Sequence, residues 1–305
     1  MITKLHRYFK EMNINIMWYR DNITRELSPS SLNINELKDS VNNCAKCNLH
    51  KTRNNTVFGD GKLESDIMII GEAPGKDEDE HGKPFIGRAG KLLNQFLKCI
   101  NLNRIQKRKF KIVIDAVNGA GADALPDLLD SLGCDVIELS CEPKGIFKRG
   151  TEPLPQSFTD LSNAVLENKA DAGFAIDPDA DRLALVNEKG IPLGEEYTLV
   201  VAAEGYLNEG GKPEKFVVNL STSIAIEKLA ESKGSSVERS SVGEINVVNK
   251  MNEIGSNFGG EGNGGVILRE CHLGRDSLVG ATMVLNRMSQ TDQTLSQIHS
   301  ALPQY

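Results

Sequence analysis

Short apolar runs that alternate with segments of helical spacing constrain this chain most strongly. Lys111-Ile-Val-Ile-Asp115, Asp135–Leu139, Ala172-Gly-Phe-Ala-Ile176, Leu183-Ala-Leu-Val186 and Phe216-Val-Val-Asn-Leu220 read as strands. Helices are predicted between them, near Asp123–Leu132, near Asp160–Asn168 and over Glu195–Asn208. Strands and helices in alternation specify α/β layering. A second α/β unit begins near Phe216. There Ser221 or Thr222 is expected to cap a helix running to about Lys233, and 243–254 and Asp276–Met288 read as further helices. Asn257–Arg269 contains a Gly-rich loop. Upstream, Asn35–Asn43 is a predicted short helix, Asp66-Ile-Met-Ile-Ile70 a strand, and Gly87–Ile100 a helix with Leu92, Leu93, Phe96, Leu97 and Ile100 at helical spacing. Residues 1–34 are polar and weakly patterned, and no internal repeat stands out.

The stretch with the most chemistry is Asp177-Pro-Asp179-Ala-Asp181-Arg182, set between two predicted strands. A tight loop can turn alternate side chains onto one point, and three carboxylates on one point suit a hard divalent cation such as Mg2+. Without a cation, such charges repel by several kcal/mol, as an order of magnitude, at short range. The competing reading is an acidic surface loop with capping aspartates.

Bulk properties exclude several classes. The net charge of -7 argues against a chain-wide nucleic-acid footprint, and aromatic residues, at 5%, are too few for stacking platforms. No apolar run reaches the roughly 18 residues that span a bilayer. The N-terminus lacks a secretory core and cleavage site, so the cytoplasm is the expected compartment. Of the cysteines, only Cys44 and Cys47 have motif spacing, so no disulfide framework is expected.

From about Lys109 onward several motifs stand in a telling order. Ile112-Val-Ile-Asp-Ala-Val-Asn-Gly-Ala-Gly121, the acidic loop, Val242-Gly-Glu244, Gly260-Glu-Gly-Asn-Gly-Gly265 and Gly274-Arg-Asp276 together resemble the second and third domains of the α-D-phosphohexomutases, the family of phosphoglucomutase, phosphomannomutase and phosphoglucosamine mutase. The resemblance implies phosphoryl transfer between a phosphoserine and a hexose phosphate, with Mg2+ offsetting charge on the transferring group. It implies Asp177, Asp179 and Asp181 as metal ligands, Arg182 as the assisting catalytic residue, and Glu261, Asn263 and Arg275 as substrate-binding residues. The family's Ser-His-Asn loop and its final phosphate-binding loop find no counterpart in these 305 residues, and Gly150-Thr-Glu-Pro153 reads as an ordinary loop. Little or no mutase turnover is therefore expected of them alone.

From about Glu36 to Ile105 the chain resembles a second family, the iron–sulfur uracil-DNA glycosylases. The matching pieces are Cys44-Ala-Lys-Cys47, Val57-Phe-Gly-Asp60, Gly71-Glu-Ala-Pro-Gly75 with Glu78 and Asp79, and Pro84-Phe-Ile-Gly-Arg-Ala-Gly90. By that resemblance Glu72 and Phe85 are relics of a uracil site, and Cys44 and Cys47 relics of a cluster. A 4Fe-4S cluster needs a second cysteine pair, which is absent at suitable spacing, so no cluster is expected to assemble.

Four segments result: an extension over 1–35, a truncated glycosylase-like segment over 36–105, and two three-layer α/β mutase-type domains over 109–210 and 211–305. Residues 1–105 are not expected to fold alone. Hexose phosphate is the expected ligand. DNA and membrane are not expected partners, and oligomeric state is unreadable. A DNA-repair glycosylase and a non-catalytic chimeric fusion are the alternatives. Other signals are set aside. Gly119-Ala-Gly121-Ala-Asp-Ala124 fits a loose dinucleotide fingerprint, but the mutase motifs explain the same turn. Cys44 and Cys47 are equally half of a zinc site or exposed thiols. His272 and Lys250 read as polar surface residues, and Lys107-Arg-Lys109 as a solvated junction.

Overall fold

The computed structural model describes residues 34–46, 48–61, 73–87, 102–209 and 214–305. The chain divides into two compact units, residues 1–95 and 96–305. The strand expected at 66–70 and nearly all of the helix expected at 87–100 lie outside the described residues, as does the extension up to residue 33.

In the first unit, helix α1 spans Ile34–Asn42 and helix α2 spans Lys76–His81. Among its described residues, carboxylates organise the contacts. Asp79 accepts from the Asn54 backbone N–H at 2.9 Å, the Asn54 side-chain amide at 2.7 Å and the Asn55 N–H at 3.2 Å. Glu78 Oε1 accepts from the backbone N–H groups of Gly87 at 2.7 Å and Ile86 at 3.0 Å. The Gly87 N–H in particular holds the Glu78 carboxyl below the usual carboxylate range. Among the described residues of this unit, no apolar side chain is buried. Helices this short are marginal without a packed face. A fragment ending at residue 101 is therefore expected to lose its circular dichroism gradually on heating. A cooperative sigmoidal transition would show the expectation wrong.

The second unit opens with helix α3, Leu102–Arg108. Strand β1 (Lys111–Asp115), helix α4 (Ala124–Ser131), strand β2 (Asp135–Leu139), helix α5 (Thr159–Asn168), strands β3 (Ala172–Ile176) and β4 (Leu183–Asn187), and helix α6 (Glu196–Asn208) follow. Then come β5 (Lys215–Asn219), α7 (Ala225–Ser232), β6 (Ser236–Ser240), α8 (Glu244–Ile254), β7 (Phe258–Glu261), β8 (Gly265–Leu268), α9 (Ser277–Ser289) and α10 (Leu295–Ala301). The fold class is α/β, as the alternation of runs implied.

The two sheets share one plan. Their strand orders are β2-β1-β3-β4 and β6-β5-β7-β8, and in each the last strand pairs antiparallel and the others parallel. This repeat of topology is not visible as a repeat of sequence, because burial selects apolar character rather than identity. β3 and β4 are buried along their whole length, and β1 from Ile112 onward. Val113, Ala175, Ala184 and Val186 pack against Phe158, Leu161 and Val165, with α5 covering that face. In the second sheet Val217 and Ile267 pack against Val247 and Met251 of α8.

Helices α6 and α9 pack on each other and reach strands of both sheets. Every residue of α9 is buried. The two helices approach closely at Gly205, where a Cβ would lie 2.8 Å from Arg287 Cβ. A helix buried all round belongs to the middle of a larger core, so α9 and α6 join the two sheets into one body.

The structure corrects one expectation and sharpens two. Lys107, Arg108 and Lys109 are all exposed, as a solvated junction requires. Arg108 pairs with Asp292 at 2.8 Å and lies 5.4 Å from the Phe110 ring centre. Just ahead of the run, Arg104 bonds Asn286 and Ser289, and Ile105 is fully buried. Neither Ser221 nor Thr222 caps α7. Both hydroxyls donate to Asn219 Oδ1, at 2.9 and 2.8 Å, and the helix starts later, at Ala225. Finally, the Gly-rich loop within Asn257–Arg269 is the turn of a hairpin whose arms are β7 and β8.

Candidate functional site

The acidic loop joins β3 to β4, whose antiparallel pairing brings Ile176 opposite Leu183 and folds the intervening residues tightly. Ala180 takes a left-handed conformation, φ 62°, to make the turn. Asp177, Asp179 and Asp181 present carboxylate oxygens that all lie within 4.8 Å of one another. Asp177 is fully buried, Asp179 exposed and Asp181 between. Among the described residues this is the one group of metal-ligating side chains so placed.

The Gly-rich turn after β1 supports the loop from below. The Ala120 N–H donates to the Pro178 carbonyl at 2.7 Å. A Cβ on Gly119 would lie 2.5 Å from that same oxygen, so only glycine permits the approach. The close approach that suggested a dinucleotide phosphate is thus made to the backbone of the acidic loop.

Charge balance in the loop is incomplete. Asp177 Oδ1 accepts from the Asp181 and Arg182 backbone N–H groups, each at 3.1 Å, and Arg182 Nε donates to Asp177 Oδ2 at 2.5 Å. Arg182 also grips Glu152, through Nη1 and, at 3.1 Å, through Nη2. These Glu152 contacts raise the Arg182 pKa. Burial opposes ionisation of Asp177, but hydrogen bonds from Asp181 and Arg182 outweigh it and hold its pKa below the usual value. Asp181 moves the other way: burial, then the neighbouring Asp177, pushes it up to about 7. Its Oδ1 is buried with no hydrogen-bond partner. Arg182 Nε stands 3.5 Å from that oxygen, in ion-pair range but without a hydrogen bond. Crowded carboxylates with an oxygen that accepts no hydrogen bond are what a hard cation resolves, so the residues present fit Mg2+.

Residues of the second sheet complete the surroundings. Arg275 bonds Asp181 through Nη2, Glu261 through Nη1 at 2.6 Å and Glu244 through Nε at 3.1 Å. Glu261, the last residue of β7, is buried. Its Oε1 also accepts from Asn219 at 2.6 Å and from the Gly243 N–H at 3.1 Å. Asn263, at the hairpin turn, has a buried Oδ1 without a hydrogen-bond partner.

Of the residues singled out in the sequence, Asp177, Asp179, Asp181, Arg182, Glu261 and Arg275 form one linked cluster. Glu72 and Cys47 lie outside the described residues. Phe85 is half-buried with φ 55°, and Cys44 is half-buried and free of any disulfide, both in the other unit. His272 stands 3.9 Å from Asp276, and Lys250 pairs with Glu253 at 3.1 Å on α8. Sequence reasoning overlooked Glu152 and Glu244 as partners of the two arginines. Both sit in motifs it had noticed, Gly150-Thr-Glu-Pro153 and Val242-Gly-Glu244, but nothing in spacing couples them to residues tens of positions away.

Comparison with known proteins agrees with this construction. The family model for phosphoglucomutase/phosphomannomutase α/β/α domain II matches residues 91–190, and that for domain III matches 194–305. A uracil-DNA glycosylase superfamily model matches residues 58–121. A phosphoglucomutase/phosphomannomutase of Thermococcus kodakarensis is 32% identical over 207 residues, covering 68% of this chain and 45% of the relative. A phosphoglucosamine mutase of Escherichia coli O81 is 32% identical over 249 residues, covering 81% of this chain and 54% of the relative. The crystal structure of a phosphoglucomutase/phosphomannomutase family protein from Burkholderia thailandensis superposes with a TM-score of 0.59 at 24% identity, covering 67% of this chain and 46% of that one. The chain thus spans about half the length of the curated relatives it matches. Two consecutive domain models, over residues 91–190 and 194–305, place this chain in the phosphoglucomutase/phosphomannomutase family.

Proposed function

We propose that residues 102–305 form the cation-binding and sugar-facing part of a Mg2+-dependent phosphohexomutase. The observation that carries this is the Asp177, Asp179 and Asp181 triad, whose oxygens converge within 4.8 Å while Asp181 Oδ1 accepts no hydrogen bond. A bound Mg2+ would offset negative charge on a transferring phosphoryl group. The remaining roles fall to the chain. Arg182, steadied by Glu152, holds its charge beside the triad, where it can meet a phosphoryl oxygen. Glu261 accepts three hydrogen bonds, leaving roughly one acceptor position of about four for a sugar hydroxyl. Asn263 offers an unengaged oxygen next to it. Arg275 supplies the cationic edge toward a phosphate.

The 305 residues contain no Ser-His-Asn sequence to carry the phosphoryl group. A pure chain of this sequence is expected to bind Mg2+ and hexose phosphate but to isomerise glucose 1-phosphate at no more than background. Detectable Mg2+-dependent isomerisation would overturn the second half of that statement. For the first half, isothermal titration with Mg2+ should show one saturable site, lost in the Asp179→Asn/Asp181→Asn double variant. Because Asp179 is exposed and Asp181 only half-buried, stability should change by less than about 1 kcal/mol. Equal titrations in both proteins would sink the triad as the cation site.

A second reading, a uracil-DNA glycosylase activity in the N-terminal unit, is favoured only by the superfamily match over 58–121. Uracil release from single-stranded DNA, together with visible absorption from a cluster, would establish it. Among the described residues no helix is long and apolar enough to cross a membrane.

A further inference from the structure

Arg275 lies in the segment between β8 and α9, with its side chain about one-fifth exposed (18%). Its guanidinium touches carboxylates from three separate elements: Asp181 in the acidic loop, Glu261 at the end of β7, and Glu244 at the start of α8. The side chain reaches them across Gly265, where a Cβ would lie 2.3 Å from Arg275 Cδ. Further links tie the same loop to α9 and to the hairpin. Ser277 donates to the Ala180 carbonyl through its N–H at 3.1 Å and its hydroxyl at 2.7 Å. The Leu183 N–H donates to the Gly264 carbonyl at 3.0 Å. The acidic loop is therefore joined to the β7–β8 hairpin by one backbone link and by one shared cation, and to the start of α9 through Ser277. Of these, only the shared cation can be competed away by another cation.

We propose that Arg275 couples cation occupancy of the Asp177–Asp179–Asp181 triad to the β7–β8 hairpin, its charge being shared between Asp181 on one side and Glu261 and Glu244 on the other. With the triad bare, Arg275 offsets Asp181. A divalent ion drawing on Asp181 displaces that contact, and the arginine settles on Glu261 and Glu244, which anchors the hairpin. The inference rests on the triad being a cation site. Linkage makes the effect reciprocal: whatever strengthens the hold of Glu261 and Glu244 on Arg275 favours cation binding. Arg275 is a positioning residue in this scheme.

The sign of one variant separates coupling from simple support. Arg275→Met removes a cation that competes for Asp181, so Mg2+ should bind about tenfold more tightly to the 305-residue chain, the scale of one unit charge removed at short range. An arginine that merely braces the loop would give the opposite, weaker binding. In the wild type, Mg2+ should slow amide hydrogen exchange over 258–268, and in Arg275→Met it should not. Arg275→Lys keeps the charge but not the planar fork, so its Mg2+ affinity should stay within about threefold of wild type while the hairpin response shrinks. Glu244→Gln serves as a second route that does not touch the arginine. It should shift Arg275 toward Asp181 and weaken Mg2+ binding several-fold.

Weaker binding in Arg275→Met, an unchanged hairpin response in that variant, or tighter or unchanged binding in Glu244→Gln overturns the proposal. If Arg275→Met does not fold, the Glu244→Gln titration and the wild-type exchange experiment decide. Failure of the wild type to bind Mg2+ removes the triad reading and the coupling together. Mg2+ binding without any change over 258–268 removes the coupling alone.

Discussion

Arg149→Met is expected to lower the unfolding free energy by about 3–5 kcal/mol, the range for stranding one charge of a buried pair. Arg149 and Asp115 are only 6% and 7% exposed, and Nε donates to Asp115 Oδ2 at 2.7 Å. Arg149 Nη2 also donates to the Ile176 carbonyl at 2.6 Å, immediately before Asp177, and the guanidinium lies 5.6 Å from the Phe158 ring centre. Methionine fills much of the volume but leaves the Asp115 carboxylate with the Val117 N–H as its one remaining side-chain hydrogen bond. Adding Asp115→Asn removes the stranded charge and should recover at least about half of the loss. Urea denaturation with matched m-values is the measurement. A loss under about 1 kcal/mol would mean that water reaches the pair. The same arginine holds the loop that carries Glu152, so the variant should also loosen Arg182.

Gly264→Ala is expected to destabilise by about 2–4 kcal/mol, for two reasons that add. The residue sits at φ 93°, which costs a side-chain-bearing residue roughly 1–2 kcal/mol. A Cβ there would also lie 2.4 Å from the Leu183 carbonyl oxygen and 3.1 Å from its carbon. These are backbone atoms that cannot rotate aside, and overpacking of this kind costs about 1–3 kcal/mol. Gly145 is the control: it has φ 67°, but a Cβ placed there would meet nothing within 4 Å, so Gly145→Ala should show the conformational cost alone. Equal losses at the two positions would falsify the steric part. Because Leu183 N–H bonds the Gly264 carbonyl, exchange at the Leu183 amide should accelerate in Gly264→Ala and not in Gly145→Ala.

Much of the second unit was legible from residues alone, because β1, β3 and β4 are buried almost throughout and read as apolar runs. β1, β2 and β3 fall on the predicted residues, 111–115, 135–139 and 172–176. The acidic loop is also where the flanking runs put it. What escaped was structure created by neighbours. β6, Ser-Val-Glu-Arg-Ser, has no apolar signature and is a strand because β5 supplies its hydrogen bonds. β7, Phe-Gly-Gly-Glu, carries no strand signal beside the Gly-rich loop it borders. Its glycines serve close approach, since a Cβ on Gly260 would lie 2.2 Å from the Gly265 carbonyl oxygen. Ser221 and Thr222 were read as helix caps by their type. Asn219 Oδ1 draws both hydroxyls instead, and the same Asn219 holds Glu261.

The amino-acid sequence by itself determined the α/β class, the placement of most helices and strands, and the three aspartates confined to one turn. Those are local properties: apolar runs, helical spacing, and a loop too short to spread its charges. Only the tertiary structure decided which groups answer those charges. Glu152, thirty residues from Arg182, fixes that arginine, and Arg275 reaches back to Asp181 from the second sheet. Sequence spacing carries no signal for such pairs, because the first distance is set by how the chain folds around the first sheet and the second by how α6 and α9 pack the two sheets together. That packing turns an acidic loop and a glycine-rich hairpin into a single site.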